Sequence, residues 1–393
     1  MTRRFATLFL ASAIASIALG CGGDTTEPPA GPYSLVTTYA GNGVPGQGDD
    51  GLPPNQTALY WPQDITFGPD GKAYILDWNN HRVRVVTNGV TQTLIGTGEL
   101  GDADDGPADS TGLNHPTHVT FDPQGRLILS AWHNSKVMRM DLGTGMMVAV
   151  CNPTGARSYG GDGGPAIDAL LDLPVACVHD SFGRMYIVDQ ANQRIRVVDN
   201  DIIDTFAGTG EQGFGGDGGM ARDAMFNFPV GQAAWPAGKI AIDELDNIYV
   251  PDAGNHRVRI IEADSHTLPS PGLRPAHTDN LIRTIAGTGE AGGIGDGVPA
   301  TEAQLRFPGD VAVGPDGSIY IADTFNHAVR KVDADGIITT VAGKLGERGY
   351  GGDGGHPRQA LFDRPAGLAF DANGNLYIAD QGNHRIRVVW KNP

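Results

Sequence analysis

Positive charge is scarce in this chain. The sequence has 28 Lys and Arg against 45 Asp and Glu, and the formal net charge is −17. Such a surface stays soluble and repels nucleic acid and anionic lipid, so polyanion binding is excluded as a function. Long apolar periodicity of the helical kind is missing after the first twenty residues, which argues against a helical domain. Cysteine is rare: beyond Cys21 only Cys151 and Cys177 remain, both in apolar, strand-like runs. The repeat alignment below sets Cys151 on an outer strand and Cys177 on the inner strand of the next unit. That separation is too wide for disulfide geometry, so both are read as buried free thiols.

Glycine is abundant, at 57 residues, about twice its usual share. Short apolar runs alternate with Gly, Pro, Asn and Asp clusters, which reads as many short strands joined by tight turns. The first twenty residues differ. Arg3 and Arg4 precede the apolar run FATLFLASAIASIALG, the pattern of an export signal over 1–20. The small residues before Cys21 resemble the lipobox of bacterial lipoproteins, which makes Cys21 the expected lipidation site. Gly22 rather than Asp follows it, and in that resemblance this favours the outer membrane or cell surface. Residues 21–32 read as a flexible tether, so membrane contact is expected only through the lipid.

The dominant signal is repetition. The stretch YIADQGNHRIRVV (Tyr377 to Val389) recurs as YILDWNNHRVRVV, YIVDQANQRIRVV, YVPDAGNHRVRII and YIADTFNHAVRKV, with a degenerate copy, ILSAWHNSKVMRM, from Ile128 to Met140. Each copy follows an apolar run and an Asp-Gly or Asn-Gly type of turn, a hairpin signal. The first five precede a further apolar run ending in Gly. One unit therefore holds four short antiparallel strands, and six units predict an all-β, six-bladed β-propeller over 33–393. The last copy lacks its fourth strand, while SLVTTYAG (Ser34 to Gly41) has no unit before it. The N-terminal strand is therefore expected to complete the last blade and close the ring.

The repeated motif looks catalytic but reads as structural, since each blade needs the same fastener. Asp ends the second strand and Arg begins the third. The expected staples are Asp77 with Arg82, Asp189 with Arg194, Asp252 with Arg257, and Asp380 with Arg385. Gln193 and Ser135 replace His, Ala328 replaces Arg and Ala131 replaces Asp, so blade two is expected to be loosest at this turn. The loops GGDGGPAIDALL, GGDGGMARDAMF and GGDGGHPRQALF lack the ligand alternation and closing Glu of a calcium loop. Their glycines supply positive φ before a short helical turn; weak binding of Ca2+ or another divalent cation is the alternative.

These motifs, GDGGPA, YIAD and NHR in several copies, resemble the NHL repeat family. The resemblance covers the mature chain and implies the propeller. It leaves function open, since the family includes adhesion modules, sensor domains, RNA binders and a metal-dependent lyase. In that lyase, channel His ligands for zinc follow the strand-opening Pro. The matching residues here are Gln63, Thr117, Val175, Gly238, Gly309 and Ala366, none of them a ligand.

Function is sought where the copies agree in place but differ in chemistry. One position early in each inner strand reads Asp64, His118, Ala176, Lys239, Asp310 and Gly367. In a sixfold ring Asp64 should face Lys239 and His118 should face Asp310, at a channel mouth. Blade four inserts PVGQAAWPAG, so Trp235, with Trp61, Trp78 and Trp132, is expected to wall this site on the loop face. His179 reads as a core histidine, and His266 and His277 lie in a long insertion. The expected function is a tethered, monomeric binding or scaffold propeller for a protein, peptide, glycan or small polar ligand, with no cofactor. The alternative is a metal-dependent lyase or lactonase-like hydrolase, with His118 as base, Asp310 orienting it and Asp64 holding the cation.

Overall fold

A computed structural model describes residues 32–231, 233–263 and 280–392. The export signal, Cys21, nearly all of the tether, and His266 and His277 lie outside the described residues. Six antiparallel sheets follow one another along the chain, each with the inner-to-outer order the repeats predict. The first blade runs Pro62–Phe67, Ala73–Asp77, Arg82–Thr87 and Val90–Ile95. The N-terminal strand, Tyr33–Ala40, pairs antiparallel with the last, Arg385–Lys391, placing Val36 opposite Val389. It forms the outer edge of blade six, so the ring closes with strands from both ends of the chain.

The Gly-Asp-Gly loops link the outer strand of one blade to the inner strand of the next. Their last residues form short 3-10 turns, such as Ala166–Asp168 and Ala221–Asp223. Ala169, Leu171, Ala224 and Phe226 follow and are buried. In blades two, three and five the loop also adds a two-residue fifth strand, such as Gly164–Pro165 on Ile202–Ala207. Pro tolerates that place because it is an unpaired outer edge. Cys151 and Cys177 are both free and buried.

The staple forms with a different arginine from the expected one. Asp77 pairs with Arg84 at 3.6 Å, Asp189 with Arg196 at 3.4 Å, Asp252 with Arg259 at 3.5 Å, and Asp380 with Arg387 at 3.3 Å. The first arginine of each motif sits opposite the aspartate in register but turns away. Arg82, Arg194, Arg257 and Arg385 instead donate to the carbonyls of Thr97, Thr209, Thr288 and Asn42. The reason is the rest of the network. The second arginine also reaches the Gly-Asp-Gly aspartate, as Arg84 does Asp50, Arg259 Asp217 and Arg387 Asp353. One buried guanidinium thus ties the turn of a blade to its linking loop. Blade five confirms this pairing: Ala328 has replaced the first arginine, yet Arg330 still pairs with Asp323.

Blade two has lost both charges together. Ala131 stands for the aspartate and Met138 for the arginine, and both are fully buried beside Trp132. The turn expected to be loosest is filled with apolar side chains, the replacement that a buried ion pair tolerates best.

Candidate functional site

The turn histidine is a seam between blades. In the αL conformation that ends each turn, its Nδ1 accepts the N–H of the residue two or three places before the next blade's inner-strand core. His81 accepts from His115, His256 from Phe307, His327 from Arg364 and His384 from Trp61, each at 3.2 Å. Those four recipients all have positive φ, 50–57°, a conformation that costs energy in non-glycine residues unless held. The apparent losses keep the role. Gln193 accepts from Phe228 at 2.8 Å, and Ser135 accepts from Leu173 at 3.5 Å.

The ring of unlike residues is built the same way. Asp64 accepts the N–H of Val119, His118 Nδ1 accepts that of Cys177, and Asp310 accepts that of Leu368, at 3.2, 3.4 and 2.7 Å. Each belts its blade to the next inner strand. Gly367 carries no side chain because a Cβ there would lie 2.8 Å from the Asp64 carboxylate. The pairing across the axis differs in part from expectation. Lys239 does reach Asp64, at 3.2 Å, and the Gln63 carbonyl at 2.7 Å. Its Nζ lies 3.8 Å from Asp310. His118, however, lies 4.0 Å from Asp64 rather than against Asp310, because its Nδ1 is committed to the neighbouring strand. Lys239 is 0% exposed, so the group expected at an open mouth is a plug. Burial pushes the Asp310 carboxyl up and the His118 imidazole down to about 4, with Lys239 opposing the first shift and adding to the second.

Below the plug a cavity of about 390 Å³ runs along the axis. It reaches from Asp64, His118 and Asp310 to Phe67, Phe121 and Phe370, towards the face that carries the hairpin turns. Above the plug lies an aromatic platform. Trp235 packs 6.3 Å from Trp61 and 6.0 Å from Phe325, and the Arg364 guanidinium sits 5.1 Å from the Trp235 ring. The Gln190 amide holds the blade-four insertion by the carbonyls of Pro229 and Trp235. Trp61 and Trp235 are half-buried. Trp78 and Trp132, expected as ligand walls, are 9% and 0% exposed; they belong to the core that carries the platform. The sequence aligned them with the loop face correctly but could not show that Trp61 and His133 would cover them.

Around the platform every linking loop presents an exposed apolar residue at its start: Val44, Leu100, Tyr159, Phe214, Ile294 and Tyr350, with Leu52, Ile167 and Met220 exposed further along three of them. Sequence reasoning missed this crown. Three of the six stand directly before the Gly-Asp-Gly loops as Tyr-Gly-Gly or Phe-Gly-Gly, where they stack on the first arginine of the motif; Phe214 lies 3.9 Å over Arg257. Their position in a repeated loop was the available signal.

A model of the teneurin NHL domain matches residues 50–254 and 281–349, and an NHL repeat model matches 362–389. Among curated proteins, Teneurin-1 of Mus musculus is 27% identical over 373 residues, 86% of this chain and 13% of its own length. Teneurin-3 of the same species is 29% identical over 360 residues, 85% of the chain and 12% of its own length. The chain thus spans about an eighth of these relatives. Among solved structures, an auxiliary nutrient binding protein from Bacteroides ovatus superposes with a TM-score of 0.63 at 18% identity, covering 92% of this chain and 78% of that one. A gluconolactonase from Xanthomonas campestris gives 0.53 at 14%, covering 93% and 99%. At such identity these two speak for the fold alone.

Proposed function

The chain belongs to the teneurin NHL-domain family, and from that premise and the build of its two faces we propose that it is a binding module that takes a protein or peptide partner on its loop face. The observation that carries this reading is the crown of six exposed apolar side chains around a half-buried tryptophan platform. Scattered apolar residues are normal on a surface, but at least one from every linking loop on a single face is a patterned patch, rimmed by polar loops. Trp235, Trp61 and Arg364 at its centre are the residue types that anchor interfaces.

The build of the channel favours binding over metal-assisted catalysis. The ammonium of Lys239 stands between Asp64 and Asp310, where the alternative reading needs a divalent cation. Both carboxylates and His118 are further committed to backbone N–H groups. The names of the structural neighbours include a binding protein and a lactonase, so the fold by itself decides nothing. Anchoring through Cys21 at an outer membrane or cell surface completes the proposal; it rests on the leader and tether alone.

The test uses Val44→Asp, Leu100→Asp and Ile294→Asp in one variant, since these three make no staple contact. Cross-linking in the native envelope should give a partner adduct with the parent chain and lose it in the variant at unchanged melting temperature. A variant that keeps the adduct would sink the loop-face reading.

A further inference from the structure

A tyrosine near the start of the second strand packs into the junction between blades at three places. Tyr74 packs edge-on to Phe121 at 5.0 Å, Tyr320 to Phe370 at 4.9 Å and Tyr377 to Phe67 at 4.8 Å. In each case the partner is the last residue of the next inner strand. The phenol of Tyr74 also bonds to Asp70 of its own hairpin turn, as that of Tyr249 does to Asp243. At the junction of blades two and three both rings are gone. Ile128 stands for the tyrosine and His179 for the phenylalanine. A cavity of about 690 Å³ lies there, between the blades and on the hairpin-turn face, larger than the groove of about 540 Å³ at the junction of blades six and one, where the ring pair is kept. That is the size of a small-molecule site.

The cavity is apolar in its walls and polar at two points. Ile128, Val150, Met185 and Val198 supply the walls. Arg139 lines it where Val85, Val197, Ile260 and Val388 stand in four other blades. Among the described residues its guanidinium has no ion pair or hydrogen bond, whereas the nearby Arg126 is held by Asp122 at 2.6 Å. An unpaired Arg facing a cavity is an anion seat. His179 lines the same cavity with part of its ring, while its Nδ1 is turned into the protein away from solvent. Burial holds this imidazole below its usual range, so it is neutral. Asp201 at the lining would repel a second negative charge.

We propose that the groove between blades two and three binds a small organic monocarboxylate with an apolar body, its carboxylate paired with Arg139. This site is separate from the loop face and does not depend on the partner-binding reading. It also gives blade two's departures a common sense: on the loop side they refill the core, and on the hairpin side they bring Arg139 to a groove.

The experiment is ligand-observed saturation-transfer NMR on the purified chain, with benzoate as the observed probe, benzamidine as an observed control and inorganic phosphate as a competitor. Benzoate should bind and benzamidine should not. Arg139→Val, the residue of the sibling blades, should weaken benzoate roughly tenfold or more, the scale of a charge-assisted pair. Ile128→Tyr with His179→Phe, which restores the sibling ring pair, should abolish binding; if that double variant does not fold, Arg139→Val decides alone. No transfer to benzoate at its solubility limit would overturn the proposal, as would equal binding to parent and variants. Benzamidine binding as well as benzoate would reject the anion seat. Displacement of benzoate by phosphate at comparable concentration would reject the apolar body.

Discussion

His384 Nδ1 accepts the backbone N–H of Trp61 at 3.2 Å, so the last turn of the chain holds the entry to its first blade. The bond needs a neutral imidazole, and burial keeps His384 below the usual histidine range. Removing the acceptor in His384→Ala leaves a part-buried N–H on a residue with positive φ, and should cost about 1–3 kcal/mol. His384→Gln should cost less than about 1 kcal/mol, since Gln193 fills this role in blade three.

The pH dependence of that pair of variants isolates the histidine. A depressed folded pKa means the unfolded chain takes up the proton first. The bond's contribution is therefore complete above the free value of about 6.5 and is lost as pH falls through the folded value. Denaturant unfolding at pH 8 and pH 5 should show the balance between parent and His384→Gln moving against the parent at pH 5. An unchanged difference would mean that the imidazole is not the neutral acceptor described.

The staple predicts an asymmetry between two arginines of one motif. Arg387→Met leaves the Asp380 carboxylate buried without its cation and should cost about 3–5 kcal/mol. Arg385→Ala removes a bond to a carbonyl and should cost about 1 kcal/mol. Adding Asp380→Ala to Arg387→Met copies the Ala131 and Met138 arrangement of blade two and should restore most of the loss. A double variant no better than the single would show that blade two's apolar pair depends on its own surroundings.

Much of this was legible in the sequence, because a repeat exposes the period, the strand count and the closing strand at once. What stayed hidden were interactions between units. The alignment placed Asp380 and Arg385 face to face, which is their true register, but Arg387 wins because the Gly-Asp-Gly loop brings Asp353 to it. His118 was aligned with the axis correctly, yet its partner was misassigned because a ring diagram ignores the neighbouring strand's N–H groups. Trp78 and Trp132 showed their position but not what lies over them. The groove beside Arg139 could not be seen before Ile128 and His179 were known to share one junction.

The tryptophans differ in the same terms. Trp132→Ala empties a fully buried site and should cost about 3–5 kcal/mol. Trp235→Ala removes a half-buried ring from the platform and should cost distinctly less, while weakening any loop-face partner by about 2 kcal/mol or more if it is an anchor. Equal melting losses would place Trp235 in the core and remove it from the proposed interface.

Lys239 gives the sharpest test of the channel. Its ammonium is the only cation that the ion pairs of Asp64 and Asp310 share among the described residues. Lys239→Met should cost about 3–5 kcal/mol near pH 8, because both carboxylates then lie buried without that charge. The Asp310 pKa should rise further, since Lys239 is the leading influence holding it down against burial. A raised carboxyl pKa makes the folded state keep protons that the unfolded state has released. Stability is then lost as pH rises from about 3.9 through the folded value, so the deficit should shrink between pH 8 and pH 5. The vacated position also suits a divalent cation. Calcium or zinc should therefore raise the melting temperature of Lys239→Met and leave that of the parent chain unmoved. A calcium- or zinc-dependent rise in the parent, reversed by EDTA, would mean that the plug opens to metal, and the hydrolytic reading of the channel would displace the binding one.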